Sequence, residues 1–205
     1  MSKKILSLLK KHYPNPKCAL NFKNTLQLLI ATILSAQCTD QRVNIVTERL
    51  FKKYKTIKDY ANADLKEFEK DIYSTGFYRN KAKNIIASCR IISEKYDGKV
   101  PKDFDKLLTL PGVARKTANC VMGNAFGIPS GVVVDTHVLR ITQRLGLTKN
   151  TDPNKIEQDL IKIIPQNEWI NFSHMIILHG RKICDARRPK CEICFLNKLC
   201  PAAKV

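Results

Sequence analysis

Leu110–Asp135 reads LPGVARKTANCVMGNAFGIPSGVVVD, and the rest of the chain is organised around it. Leu-Pro-Gly-Val-Ala predicts a tight turn. A helix follows with Lys116 in its first turn, leaves through Gly127-Ile-Pro-Ser-Gly131, crosses three valines and ends on Asp135. There a new helix, THVLRITQRLG, is expected to start. A lysine and an aspartate thus fall at the starts of consecutive helices. Unpaired N–H groups give a helix N-terminus a partial positive charge. Lys116, with Arg115 beside it, is disfavoured as a cation there, and partial burial would lower its pKa further. A lysine that is neutral part of the time is a nucleophile. Position alone leaves Lys116 a solvated surface lysine, so the remaining sequence has to decide. Asp135 is expected to cap its helix whatever else it does.

The chain has 205 residues, enough for a real core in one domain or two small ones. It carries 36 Lys and Arg against 18 Asp and Glu, a formal charge of +18. Such an excess suits a partner dense in phosphate, with an anionic membrane surface as the alternative. No apolar run, Leu26–Leu34 included, approaches the roughly 18 residues of a membrane span. The start, MSKKILSLLKK, is too short in apolar residues for a secretion signal and reads as an amphipathic helix. The expected location is cytoplasmic, nucleoid-associated if the source is bacterial.

Helical periodicity runs through nearly every segment, so the class is all-α. Helices are expected at 3–13, 25–36, 40–54, 56–61, 64–73, 79–96, 103–108, 114–126, 136–146, 153–163 and 167–182. The run 25–36 is apolar almost all round and is read as a central buried helix, and Asp40 is read as the cap of the next one. Only Val132–Val134 looks strand-like, too short for a sheet. The helices at 79–96 and 114–126 each follow a glycine turn and begin with cations, Arg79/Lys81/Lys83 and Arg115/Lys116. A glycine turn at a helix start lets backbone N–H groups approach a phosphate. Two such turns suggest a grip on a DNA backbone that does not read sequence.

Of eight cysteines, Cys18, Cys38, Cys89 and Cys120 are scattered, and the last three are read as small apolar packing residues in helices. Cys184, Cys191, Cys194 and Cys200 are spaced C-x6-C-x2-C-x5-C. Four thiolates so close, in a reducing compartment, read as a metal site rather than disulfides. Spacing alone leaves zinc and an iron–sulfur cluster open. The loop between the first two carries Arg187, Arg188 and Lys190, which on a metal-pinned loop would make a stiff phosphate-binding surface.

Taken together, LPGVARKTANCVMGNAFG, VVVDTH, LSAQCTD (34–40), STGFYRNKAKNI (74–85), NFSHMIILHGRKIC (171–184) and the cysteine spacing resemble the endonuclease III family of DNA repair glycosylases. The similarity covers nearly the whole chain. It implies two helical lobes: a barrel over about 20–131 that contains a helix–hairpin–helix, and a cluster lobe built from 1–19 and 132–205. It implies a [4Fe–4S] cluster on the four cysteines and double-stranded DNA, with damaged bases or abasic sites, across the cleft of a monomer. It also implies a chemistry. An oxidised pyrimidine is flipped out, the Lys116 amine attacks C1′, and β-elimination through a Schiff base cuts the strand 3′ to the abasic site. Asp135 would stabilise positive charge developing on the sugar. Gln37 and Phe77 match positions that fill or wedge the gap, His137 matches a DNA contact, and Gly112, Ala114 and Arg115 belong to the DNA-binding hairpin.

Two positions depart from the family pattern. Ala114 stands where a second hairpin glycine is usual, and alanine in a left-handed backbone would cost roughly 1–2 kcal/mol; an ordinary φ is therefore expected there. Phe77 stands where many relatives carry leucine. The related adenine glycosylases lack a lysine at the position of Lys116 and carry a further C-terminal domain, whereas this chain has the lysine and stops five residues after Cys200. A non-catalytic DNA-binding module with structural zinc would explain the charge, the hairpin and the cysteines, but not the pairing of Lys116 with Asp135.

Overall fold

Wherever the chain turns into a helix, a short polar side chain usually waits to receive the first unpaired N–H groups. In the computed structural model, which describes residues 1–204, Asn24, Thr39, Thr56, Asp64, Asp103, Asp135 and Asp152 all do so. The helices are α1 (Ser2–His12), α2 (Thr25–Leu34), α3 (Asp40–Lys53), α4 (Ile57–Ala61), α5 (Leu65–Asp71) and α6 (Tyr78–Lys95). They continue as α7 (Phe104–Leu108), α8 (Arg115–Phe126), α9 (Thr136–Arg144), α10 (Pro153–Ile163) and α11 (Trp169–Lys182), with short 3-10 turns between some of them. No strand occurs among the described residues, and none of their helices is long and apolar enough to cross a membrane.

The chain divides into two units, Cys18–Ile128 and the discontinuous pair Met1–Lys17 with Pro129–Val205. The sequence reading put the breaks at 19/20 and 131/132. The second crossing lies earlier because left-handed Gly127 ends α8, and the residues beyond belong to the other core. There Val132 and Val134 are buried, and Val133 N–H donates to Ser173 Oγ at 3.0 Å. Val132 and Val134 thus serve as packing, and the segment forms no strand.

In the contiguous unit α2 is central. Leu28, Leu29, Ile30, Ala31 and Leu34 are fully buried, each large side chain contributing about 1.5–3 kcal/mol. Helix α2 packs on α8 and α3, and α6 receives α4 and α5. In the discontinuous unit, α11 packs on α1 and α9 around Ile5, Leu9, Val138, Ile141, Phe172 and Ile176. The packing at Gly180 is close: an added Cβ would fall 2.7 Å from His137 Cδ2 and 2.9 Å from Ile141 Cδ1.

Two local expectations are corrected. Thr39, not Asp40, caps α3 through Arg42 N–H, and Asp40 is the first helical residue. Cys38 lies outside any helix and is half-buried, because α2 already ends at Leu34. Cys89 and Cys120 are buried in α6 and α8.

Candidate nucleic-acid interface and active site

The turn between α7 and α8 is built by burial on either side of an exposed tip. Leu110 and Val113 are buried, and Val113 N–H closes the turn on Leu110 C=O at 3.1 Å. Gly112 has φ +78°, and a Cβ there would strike Asn84 Cβ at 2.9 Å. Only glycine meets both conditions. The Ser88 hydroxyl donates to Pro111 C=O at 2.7 Å, so α6 holds the turn from behind. Ala114 sits at φ −89°, ψ 171°, the ordinary extended backbone expected of it.

Ala114 has a second consequence. It occupies the N-cap of α8, and no side chain caps that helix. Helix α6, whose N-cap is Phe77, is also uncapped. The other helices of the contiguous unit all carry a side-chain cap. The two open starts are those that follow the glycine turns. Each presents N–H groups and positive dipole to an outside acceptor. Lys116 is exposed in the first turn of α8, so the burial considered in the sequence reading is not there. Arg115 lies over the Phe104 ring at 5.0 Å. At the start of α6, Arg79 and Lys83 are exposed, but Lys81 is buried and turned inward, which removes it from the basic face read from the sequence.

Gln37 and Phe77 share a property that no sequence pattern announced. Both are left-handed, with φ 52° and 47°, and both are exposed, Phe77 at 64 %. Residues other than glycine avoid this region, and holding one there costs on the order of 1–3 kcal/mol. Such strain persists only where the surroundings fix it.

In the discontinuous unit Asp135 caps α9. Its Oδ1 accepts from His137 N–H at 2.9 Å and Val138 N–H at 2.8 Å, and Oδ2 lies 3.1 Å from His137 Nδ1. Both carboxylate oxygens are engaged, so the group is fixed in direction. The Asp135 side chain keeps 16 % of its surface exposed.

Cys184, Cys191, Cys194 and Cys200 line one cavity with Arg144, His179 and Leu196. Among the described residues no three His, Cys, Asp or Glu side chains converge to hold a single ion. Four sulfurs around one cavity fit a polynuclear group with thiolate corners better than a tetrahedral ion. Burial, aided by the neighbouring sulfurs, pushes the Cys194 and Cys200 thiols up, a charge conflict that bound iron would resolve. Donors face the sulfurs: Arg144 donates to Cys184 Sγ at 3.3 Å, and His179 Nε2 lies 3.5 Å from Cys194 Sγ. Burial pushes His179 down to about 4, so its ring is neutral. Tyr13 Oη lies 3.2 Å from Nδ1, so both ring nitrogens have a partner.

The loop after Cys184 is tied from α9. Arg140 donates to Cys184 C=O at 3.0 Å, and Arg144 donates to Asp185 C=O at 2.7 Å and Ala186 C=O at 2.8 Å. The N–H groups of Arg187 and Arg188 donate to the Asp185 carboxylate and hold its pKa below the usual range. Arg187, Arg188 and Lys190 are exposed on this ordered loop, with the Lys190 ammonium bonded to Lys182 C=O at 3.2 Å. Arg140, Arg144, His179 and Gly180 were not singled out in the sequence, and Lys81 was read there only as part of a basic helix start. Nothing local separates these cations from the 36 in the chain.

The structure thus gathers Gly112, Ala114, Arg115 and Lys116 at one turn, Asp135 and His137 at one helix start, and the four cysteines with three cations in one loop. Residues 30–166 match the family model described as HhH-GPD superfamily base excision DNA repair protein, and residues 184–200 match the iron-sulfur binding domain of endonuclease III. This second match settles the choice that spacing left open in favour of an iron–sulfur cluster, the [4Fe–4S] group. The endonuclease III of Synechocystis sp. is 59 % identical over 200 residues, 98 % of this chain and 91 % of that one. A solved non-covalent endonuclease III–DNA complex is similar at 46 % identity and TM-score 0.94, covering 99 % of this chain and 96 % of that one. A trapped endonuclease III–DNA covalent intermediate gives 46 % identity and TM-score 0.94, over 99 % and 97 % of the two chains.

Proposed function

The chain belongs to the endonuclease III family, within the HhH-GPD superfamily of base excision DNA repair proteins, and from that premise we propose a bifunctional enzyme. It is a DNA glycosylase of base excision repair. Its substrates are oxidised pyrimidines in duplex DNA, and it also cleaves the strand 3′ to the resulting abasic site. Its place is in the cytoplasm, with the DNA.

The observation that carries this reading is Lys116, an exposed amine in the first turn of a helix whose start is left open by alanine. Its neutral amine attacks C1′, the C1′–N bond to the base breaks, and the base departs with the bonding pair. The C1′–O4′ bond of the resulting aminal then opens, O4′ takes a proton, and the Schiff base forms. Removal of a C2′ proton then expels the 3′ phosphate by β-elimination. Asp135, fixed by two N–H donors and His137, offers its negative charge to the sugar as positive charge develops and takes part in the proton transfers. The trapped covalent intermediate of a similar protein supports a covalent step.

The open starts of α6 and α8 seat phosphates through backbone N–H groups. Gln37 and Phe77 occupy the gap left by the flipped nucleotide, and His137 contacts the strand. The iron–sulfur cluster, when bound, ties Cys184, Cys191, Cys194 and Cys200 together and steadies Arg187, Arg188 and Lys190 against the DNA backbone.

The test is borohydride trapping on a duplex with one abasic site, beside excision from a duplex with one oxidised pyrimidine. A covalent protein–DNA adduct and release of the free base are expected. Base release with no adduct would leave a glycosylase without the lyase step. Purified protein is expected to be yellow-brown, with iron and sulfide; colourless protein with stoichiometric zinc would overturn the cluster.

A further inference from the structure

Gln37 and Phe77 stand on two separate loops of the contiguous unit, each in strained left-handed backbone. One buried side chain joins those loops. The Lys81 ammonium donates to Leu34 C=O and to Thr75 C=O, both at 2.8 Å, and the residue is only 5 % exposed. Leu34 is the last residue of α2, three before Gln37. Thr75 lies two residues before Phe77, itself buried and bonded through its hydroxyl to Ile72 C=O at 2.8 Å. Through its own N–H, Lys81 also bonds Phe77 C=O at 3.1 Å. One residue therefore grips the end of one loop and both sides of the other.

The choice of residue is informative. A buried cation is expensive, and here the ammonium is held by main-chain carbonyls rather than a carboxylate. Burial lowers its pKa, as that cost requires. Leu34 C=O is one of the carbonyls that α2 cannot satisfy internally, at the end of the helix where a cation is favoured. A compact ammonium with three donors on a long stem can reach both carbonyls at once.

We propose that Lys81 is a positioning residue for base flipping: it fixes the separation of the two loops so that Gln37 and Phe77 enter the duplex together. This rests on the reading of Gln37 and Phe77 given above. Lys81 itself touches neither substrate nor reacting atoms.

The experiment compares Lys81→Met and Lys81→Arg with the unsubstituted holoenzyme on two substrates. One is a duplex carrying an oxidised pyrimidine beside a fluorescent base analogue that brightens on unstacking. The other is a single strand with one abasic site, where there is no gap to fill. Both variants are expected to lose at least tenfold in kcat/KM on the duplex and to lose the unstacking signal. Adduct yield on the single strand is expected to stay within about twofold. Equal losses on both substrates, or no loss on either, would overturn the proposal. Should Lys81→Met fail to fold, Lys81→Arg decides by the same criterion. Combining the soluble variant with Gln37→Ala is expected to give less than the sum of the two effects, since both act through one loop; full additivity counts against a shared role. No adduct from the unsubstituted enzyme on either substrate would instead remove the lyase reading.

Discussion

Helices α8 and α9 begin in opposite ways. At α9 the chain supplies its own anion: Asp135 accepts two N–H groups and engages His137. At α8 the same position holds Ala114, and no side chain caps the N–H groups. An aspartate cap is worth about 1 kcal/mol over alanine, so α8 forgoes stability that α9 takes. What α8 keeps is an N-terminus without a side-chain cap, beside an exposed amine. A helix start can thus bind its own carboxylate and fix it, or stay open and bind a ligand's anion. The two candidate catalytic residues sit on the two alternatives.

The largest effect is expected from removing the amine. Lys116→Ala is predicted to abolish the borohydride adduct on abasic duplex DNA while the helices stay folded; undiminished adduct would take Lys116 out of the chemistry. Asp135→Asn comes next. The amide oxygen can still accept from His137 and Val138, so the cap and the melting temperature are expected to hold while the charge is lost. Base excision should fall by about 10²–10⁴ with DNA binding largely kept, and normal turnover would leave Asp135 a cap and nothing more.

Gly180→Ala probes what holds His137 against Asp135. Helical glycine to alanine ordinarily stabilises by about 1 kcal/mol. Here the new Cβ would lie 2.7 Å from His137 Cδ2, and overpacking costs about 1–3 kcal/mol. Thermal unfolding is therefore expected to move down, and a rise would show that His137 shifts freely. The smallest effect sharpens the comparison most. Ala114→Asp should give α8 the start that α9 has, raising stability by about 1 kcal/mol while weakening DNA binding severalfold. Melting and salt-dependent binding should move in opposite directions; unchanged binding would show that the α8 start seats no phosphate.

Much of this was legible before folding, for a local reason. Asp135 as a cap, the glycine turn at Gly112 and the ordinary backbone of Ala114 each follow from a few neighbouring residues. The cysteine loop was legible as a metal site from spacing, though the choice of metal was not. Other features rest on distant residues. Val132–Val134 carries the apolar, β-branched signal of a strand but is too short for a sheet, and Val132 and Val134 pack into a helical core around Phe172. Lys81 was read with Arg79 and Lys83 as one basic face, yet it lies buried against the end of α2.

The sequence by itself determined the helices, most of their caps, the glycine turn and the set of four cysteines, because each depends on torsional preference and hydrogen bonds within a few residues. Only the tertiary structure decided which of many similar cations is buried, that Gln37 and Phe77 are held left-handed, and that arginines of α9 tie the cysteine loop. Burial and strain are set by what packs against a residue, and those neighbours come from far along the chain.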